Sequence, residues 1–124
     1  MFQFNSSFGL KLSVNQVVAE VIRFMTDSPK HTYKIIIGSD SMLFPRKMAD
    51  FVTTVVIHRE GKGGRYFWRR RETGKFHTLR DRIIQEVLYS IEVAKEVLVK
   101  LQKETEKNPE LLWSFEIHAD IGEH

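Results

Sequence analysis

Three acidic residues are spaced so that a fold can bring their carboxylates together. Asp40 closes the apolar run "YKIIIGSDS" and Asp120 closes "FEIHADIG", each followed by small or flexible residues. Two carboxylates converging on one place repel each other and raise one pKa unless a cation sits between them. Hard oxygen ligands of this kind suit magnesium or manganese. With a third carboxylate the set can hold two cations about 4 Å apart, one activating water and the other stabilising the leaving oxygen of a phosphodiester. The alternative for each aspartate is a turn or cap residue at the end of a strand.

The elements that must position these acids follow from periodicity. Ser13 is a suitable N-cap for "VNQVVAEVIRFM", in which Val14, Val17, Val18, Val21, Ile22 and Met25 recur at helical spacing. "TYKIIIGSD" is short and rich in β-branched residues, so it reads as a strand buried on both faces. "SMLFPRKMAD" reads as a connection, "FVTTVVIHRE" as a second strand, "GKGG" as a turn and "RYFWRRRE" as a third strand, which makes the last two a hairpin. A long helix is expected from Leu79 to Lys107, and "LLWSFEIHADIG" reads as a fourth strand. If that helix returns the chain parallel to the first strand, Asp40 and Asp120 arrive together at carboxyl ends of neighbouring strands.

The third carboxylate would come from the long helix. At about 100° per residue, Glu86 falls on one border of the apolar stripe, whereas Glu92 and Glu96 point further into the polar face. Asp81, on the opposite border, is the reserve. Ser39 and Ser41 flank Asp40 and can hydrogen-bond its carboxylate or shape the turn. His118, two residues before Asp120, can support the site or carry a proton; otherwise it is a partly buried strand histidine.

Charge is unevenly distributed. The chain has 124 residues and a formal net charge of +3, yet residues 62–82 hold eight basic residues against two acidic ones. Within this segment Arg65, Trp68, Arg69, Arg70, Arg71 and Lys75 interleave a ring with cations, as a surface that stacks on bases and grips phosphates would. The competing reading is a strand whose arginines face water. No cysteine is present, which excludes disulfides and thiolate metal sites and fits a reducing compartment. With 42% hydrophobic residues, no basic leader and no membrane-length apolar run, the chain reads as one soluble cytoplasmic domain, residues 1–124.

"YKIIIGSDS", "FVTTVVIHREGKGG", "LRDRIIQE" and "IHADIG", in an order of three strands, a helix and a fourth strand, resemble the YkuK-like family of uncharacterised bacterial ribonuclease H-like proteins. The resemblance implies an α/β fold with a mixed sheet of order 3-2-1-4, a long crossover helix and an additional N-terminal helix. It implies Asp40, Glu86 and Asp120 as the acidic set, magnesium or manganese as cofactor, and RNA, DNA or an RNA/DNA hybrid as substrate. Such domains usually continue into a fifth strand, so a C-terminal truncation is expected. The fold hosts binders as well as nucleases, so a nucleic-acid-binding or protein-interaction module is the rival expectation. The fourth strand would then leave an open edge. Either a homodimer formed there or the N-terminal segment "MFQFNSSFGLKL" folding back is expected to cover it.

Overall fold

The computed structural model describes residues 3–119. Its elements are β1 (Gln3–Ser6), β2 (Lys11–Ser13), α1 (Val14–Thr26), β3 (Thr32–Leu43), a short 3-10 turn (Pro45–Lys47), β4 (Met48–Arg59), β5 (Gly64–Lys75), α2 (Leu79–Thr105) and β6 (Leu112–His118). Six strands form one sheet in the order β2-β1-β5-β4-β3-β6. The β3–β6 pair is parallel and all others are antiparallel. The expected 3-2-1-4 arrangement is the β5-β4-β3-β6 portion of this sheet.

Both helices begin where the sequence supplies a cap. The Ser13 side chain accepts from the Gln16 N–H while the Gln16 side chain accepts from the Ser13 N–H, a reciprocal pair that satisfies two otherwise free donors. Thr78 caps α2 by accepting from the Asp81 N–H. Between β4 and β5, Gly61 and Gly63 have φ of 74° and 78°, a left-handed backbone that favours glycine.

Strand alternation decides which side chains face the helices. Tyr33, Ile35 and Ile37 of β3, Phe51, Val55 and Ile57 of β4, and Phe67 of β5 are fully buried. Apart from Phe51, whose ring meets Phe76 and Tyr89, they form one core with Val17, Val21 and Met25 of α1 and Val93, Val97 and Leu101 of α2. Because side chains alternate, Lys34, Ile36, Gly38, Asp40 and Met42 belong to the opposite side of the sheet. Among the described residues both helices pack on the Tyr33–Ile35–Ile37 side, and the other side is bare.

Three expectations change. β3 does not end at Asp40 but continues to Leu43, because Met42 and Leu43 pair with Asp50 and Ala49 in a long hairpin. The N-terminal segment does not cover β6; β1 pairs with β5 at the other side of the sheet, with Phe4 buried beneath the helices. Its Phe2 lies outside the described residues. The arginine-rich strand is not a solvated edge, since β5 is flanked by β4 and β1. No helix among the described residues is long and apolar enough to cross a membrane.

Candidate functional site

The alternation that builds the core also separates the expected acids. Ser39 and Ser41 share the helix side with Ile37, and α2 lies over them. The Ser39 hydroxyl is 2.8 Å from that of Thr53 on β4 and 2.8 Å from that of Ser90 on α2. Ser90 also donates to the Glu86 carbonyl at 3.0 Å, and Ser41 donates a short hydrogen bond to the Glu86 carboxylate. Glu86 is 6% exposed. Its inward position agrees with its helical angle, but its partner is Ser41 rather than Asp40.

Asp40 points the other way. Its carboxylate accepts from the Ser41 N–H at 2.9 Å, and its side chain is exposed on the bare face. Asp40 and Glu86 therefore lie on opposite sides of the sheet, so the expected convergence of these two on one cation is not formed. Asp120 lies outside the described residues. Among the described residues no group of three His, Asp or Glu is placed to hold a metal ion. The reserve candidate, Asp81, is exposed in the first turn of α2.

The hydroxyl and carboxylate cluster fastens α2 to the sheet, which gives a direct expectation for Glu86. Glu86→Gln retains an acceptor for Ser41 and changes stability little. Glu86→Ala leaves the part-buried Ser41 hydroxyl without that acceptor and costs about 1–2 kcal/mol in urea unfolding.

Parity divides the basic segment as well. Arg65, Arg69 and Arg71 share the helix side with Phe67 and meet glutamates there. Arg65 approaches Glu20 at 3.6 Å, Arg69 approaches Glu96 at 3.3 Å and Glu92 at 3.7 Å, and Arg71 approaches Glu92 at 3.0 Å. Burial pulls the Arg69 guanidinium below its ordinary pKa; Glu96 and Glu92 oppose this, while Arg71 adds to it. These arginines join β5 to the helices and are not laid out for phosphate.

The bare face carries the rest. Trp68 and Arg70 lie on it, together with Tyr66, and Lys75 is exposed near the end of β5. The register sets His118, Gly38, Thr54, Trp68 and Asn5 in one row across five strands. Glu116, Ile36, Val56 and Tyr66 form the next row. Asp40, Val52 and Arg70 form the row on the other side of Trp68. Gly38 and Thr54 are small, so the middle of the face is low. The resulting open depression of about 920 Å³ is lined by Ile36, Gly38, Asp40, Val52, Val56 and His118 among others.

Charges on this face are largely matched. Arg70 is 2.7 Å from Asp50 and 3.6 Å from Glu72, and the Asp50 contact raises its pKa above the ordinary value. Lys34 and His118 each lie 3.5 Å from Glu116. Asp50 is buried, and its Oδ1 has no hydrogen-bond partner among the described residues. Tyr66 and Asp50 escaped the sequence reading. The signal for Tyr66 was the two-residue spacing from Trp68, which puts two rings on one face.

Residues 16–124 match the ribonuclease H-like family. The chain is 28% identical over 130 residues to "Uncharacterized protein YkuK" of Bacillus subtilis (strain 168), an alignment covering 98% of this chain and 74% of that protein. No solved structure matches it. The mixed sheet, with its parallel β3–β6 pair joined through α2, agrees with these matches, and the chain belongs to the ribonuclease H-like family.

Proposed function

We propose that this protein binds single-stranded nucleic acid on the helix-free face of its sheet, without turnover by the acidic set its family resemblance implied. The observation that carries this reading is the pair Tyr66 and Trp68, two residues apart on β5. Successive same-face residues of a strand are roughly 7 Å apart, so two unstacked bases can each find a ring. Tyr66 is 47% exposed, and Arg70 follows on the same face with half of its side chain in solvent. Single strands are favoured over duplex because only unpaired bases expose their flat faces to stacking.

Magnesium or manganese shared by Asp40 and Glu86 would need both carboxylates on one side of β3, whereas Glu86 is engaged by Ser41 and strand alternation turns Asp40 to the other side. A divalent cation bound on the open face would draw on Asp40 and Asp50 instead, and no catalytic step is derived through it. The nuclease and the binder differ in one experiment. Labelled single-stranded RNA, single-stranded DNA and an RNA/DNA hybrid are each incubated with the protein, with and without manganese. Retention of the single strands intact, unaffected by Asp40→Asn, is the expected result. Manganese-dependent cleavage that Asp40→Asn abolishes would replace this reading with the nuclease.

Contact with phosphate is limited on this face, because Arg70 and Lys34 already have acidic neighbours. Affinity should therefore fall only gently with salt, by a slope of about one phosphate, and Arg70→Ala should remove most of that slope.

A further inference from the structure

A bulge gives the helix-free face one more row. On β5 the odd-numbered residues from Arg65 to Thr73 face the helices, where Thr73 meets Tyr89 of α2, and strict alternation would send Lys75 there as well. It does not, because the register shifts: Ala49 pairs with Thr73 but Met48 pairs with Lys75, which leaves Gly74 as an extra residue in β5. Such a bulge re-aims the side chains beyond it. Lys75 thereby joins Met48 on the helix-free side. From the neighbouring strand the Phe44 N–H donates to the Met48 carbonyl at 2.7 Å, so Phe44 continues the β3–β4 register one place past Leu43 and Ala49. Phe44, Met48 and Lys75 form the last row of the face, the third beyond that of Trp68.

This row differs in charge from the rest of the face. Arg70, Lys34 and His118 have acidic neighbours, whereas Lys75 and Arg46, both exposed, have no acidic partner among the described residues. Arg46 stands in the turn between Phe44 and Met48 with a φ of 66°, a left-handed backbone in which a residue with a side chain is strained. An arginine kept where glycine would be at ease is a cost of the kind that functional sites carry. Phe44 is 41% exposed. A ring beside two unmatched cations offers what a base and its flanking phosphates need.

We propose that this row is a second anchor for single-stranded nucleic acid, in which Phe44 stacks on a base while Lys75 and Arg46 hold phosphates. The inference rests on the reading of Tyr66 and Trp68 as the first anchor and adds the extent of the site. Same-face residues of a strand are roughly 7 Å apart, so the anchors are separated by about 20 Å, a span of several nucleotides. Between them Arg70 is already matched to Asp50 and Glu72, so the intervening stretch adds little affinity. A strand long enough to reach both anchors gains the second contact intramolecularly. The gentle salt dependence expected of the face holds for strands too short to leave it.

Fluorescence anisotropy with labelled single strands of about 4 and about 12 nucleotides, lengths that single-stranded sites cover, tests this. The longer strand should bind more tightly than its additional binding registers alone allow, and its logarithmic salt slope should be steeper by about 1.4, the value for two further phosphates. Combining Arg46→Gly with Lys75→Ala should remove that added slope. The thermal midpoint of this double variant should hold or rise, because glycine suits the backbone at position 46, so the loss is not one of folding. Phe44→Ala should weaken the longer strand roughly tenfold. Trp68 emission, read in a Trp113→Phe background, separates the two anchors. A longer strand that quenches Trp68 with the salt slope of the shorter one would overturn the second anchor and leave the first. A steep slope without any change in Trp68 emission, or no binding at either length, would overturn both.

Discussion

Replacing Arg69 by alanine is expected to destabilise the fold by about 3 kcal/mol, lowering the thermal midpoint by roughly 10 °C. The guanidinium is 5% exposed, sits 5.1 Å from the Phe4 ring centre and reaches Glu96 and Glu92 of α2. It joins the N-terminal strand, β5 and the long helix at one point. Truncation removes the packing of its stem and takes a cation away from two glutamates. The cost stays below that of a fully enclosed pair because the Glu92 and Glu96 side chains are 39% and 28% exposed, so water screens what is left. Arg69→Met should recover part of the loss by restoring the stem. A change below about 0.5 kcal/mol, the range of an ordinary surface substitution, would mean that the ion pairs are superficial.

The same contacts alter how the basic segment should be tested. Neutralising Arg69, Arg70 and Arg71 together would unfasten β5 from α2, and lost oligonucleotide binding would then report damage to the fold. Only Arg70 of the three can be changed without touching the helix side.

The second large effect concerns binding. Stacking of a base on an aromatic side chain contributes about 1–3 kcal/mol, so Tyr66→Ala and Trp68→Ala should each weaken single-strand binding roughly tenfold, and the double variant roughly a hundredfold. Trp68→Phe keeps a ring and should retain most of the affinity. Half-buried Trp68 also contributes to stability, so each variant is compared at a temperature well below its own unfolding midpoint. Fluorescence anisotropy of a labelled oligonucleotide reads the effect. Equal affinity in the double variant would remove the rings from the site.

The sequence made the elements legible and left the faces undetermined. α1, α2 and four strands follow from spacing and from caps such as Ser13, and the parallel return of β6 beside β3 follows from the long helix. Parity did not follow, because Ile35, Ile36 and Ile37 are all apolar and read as buried on both faces, whereas only the Tyr33, Ile35 and Ile37 side is covered by helices. The structure resolves it through Tyr33, Ile35 and Ile37, and Ser39, Asp40 and Ser41 are assigned to alternate sides as a consequence. Glu86 was readable from its angle alone, while its partner depended on that unreadable parity.

The arginine strand shows the same limit. Phe67 does pack beneath the helices, as one reading of "RYFWRRR" anticipates, but alternation then carries Arg65, Arg69 and Arg71 to the same side. Arginines on this face are matched by Glu20, Glu92 and Glu96 from two helices and by the rings of Phe4, Phe67 and Tyr89. No local pattern announces such partners. The N-terminal hairpin was missed because β1 and β2 are four and three residues long, too short for a period to register.

The central claim, that the helix-free face is the working surface, is tested most directly by the emission of Trp68. Trp113→Phe leaves Trp68 as the sole tryptophan, since the chain contains two. Titration with a single-stranded oligonucleotide should quench that emission to saturation, with the same midpoint in the presence of manganese and in a Glu86→Gln background. An oligonucleotide that binds, as read by its own label, while the Trp68 emission stays unchanged would contradict the account.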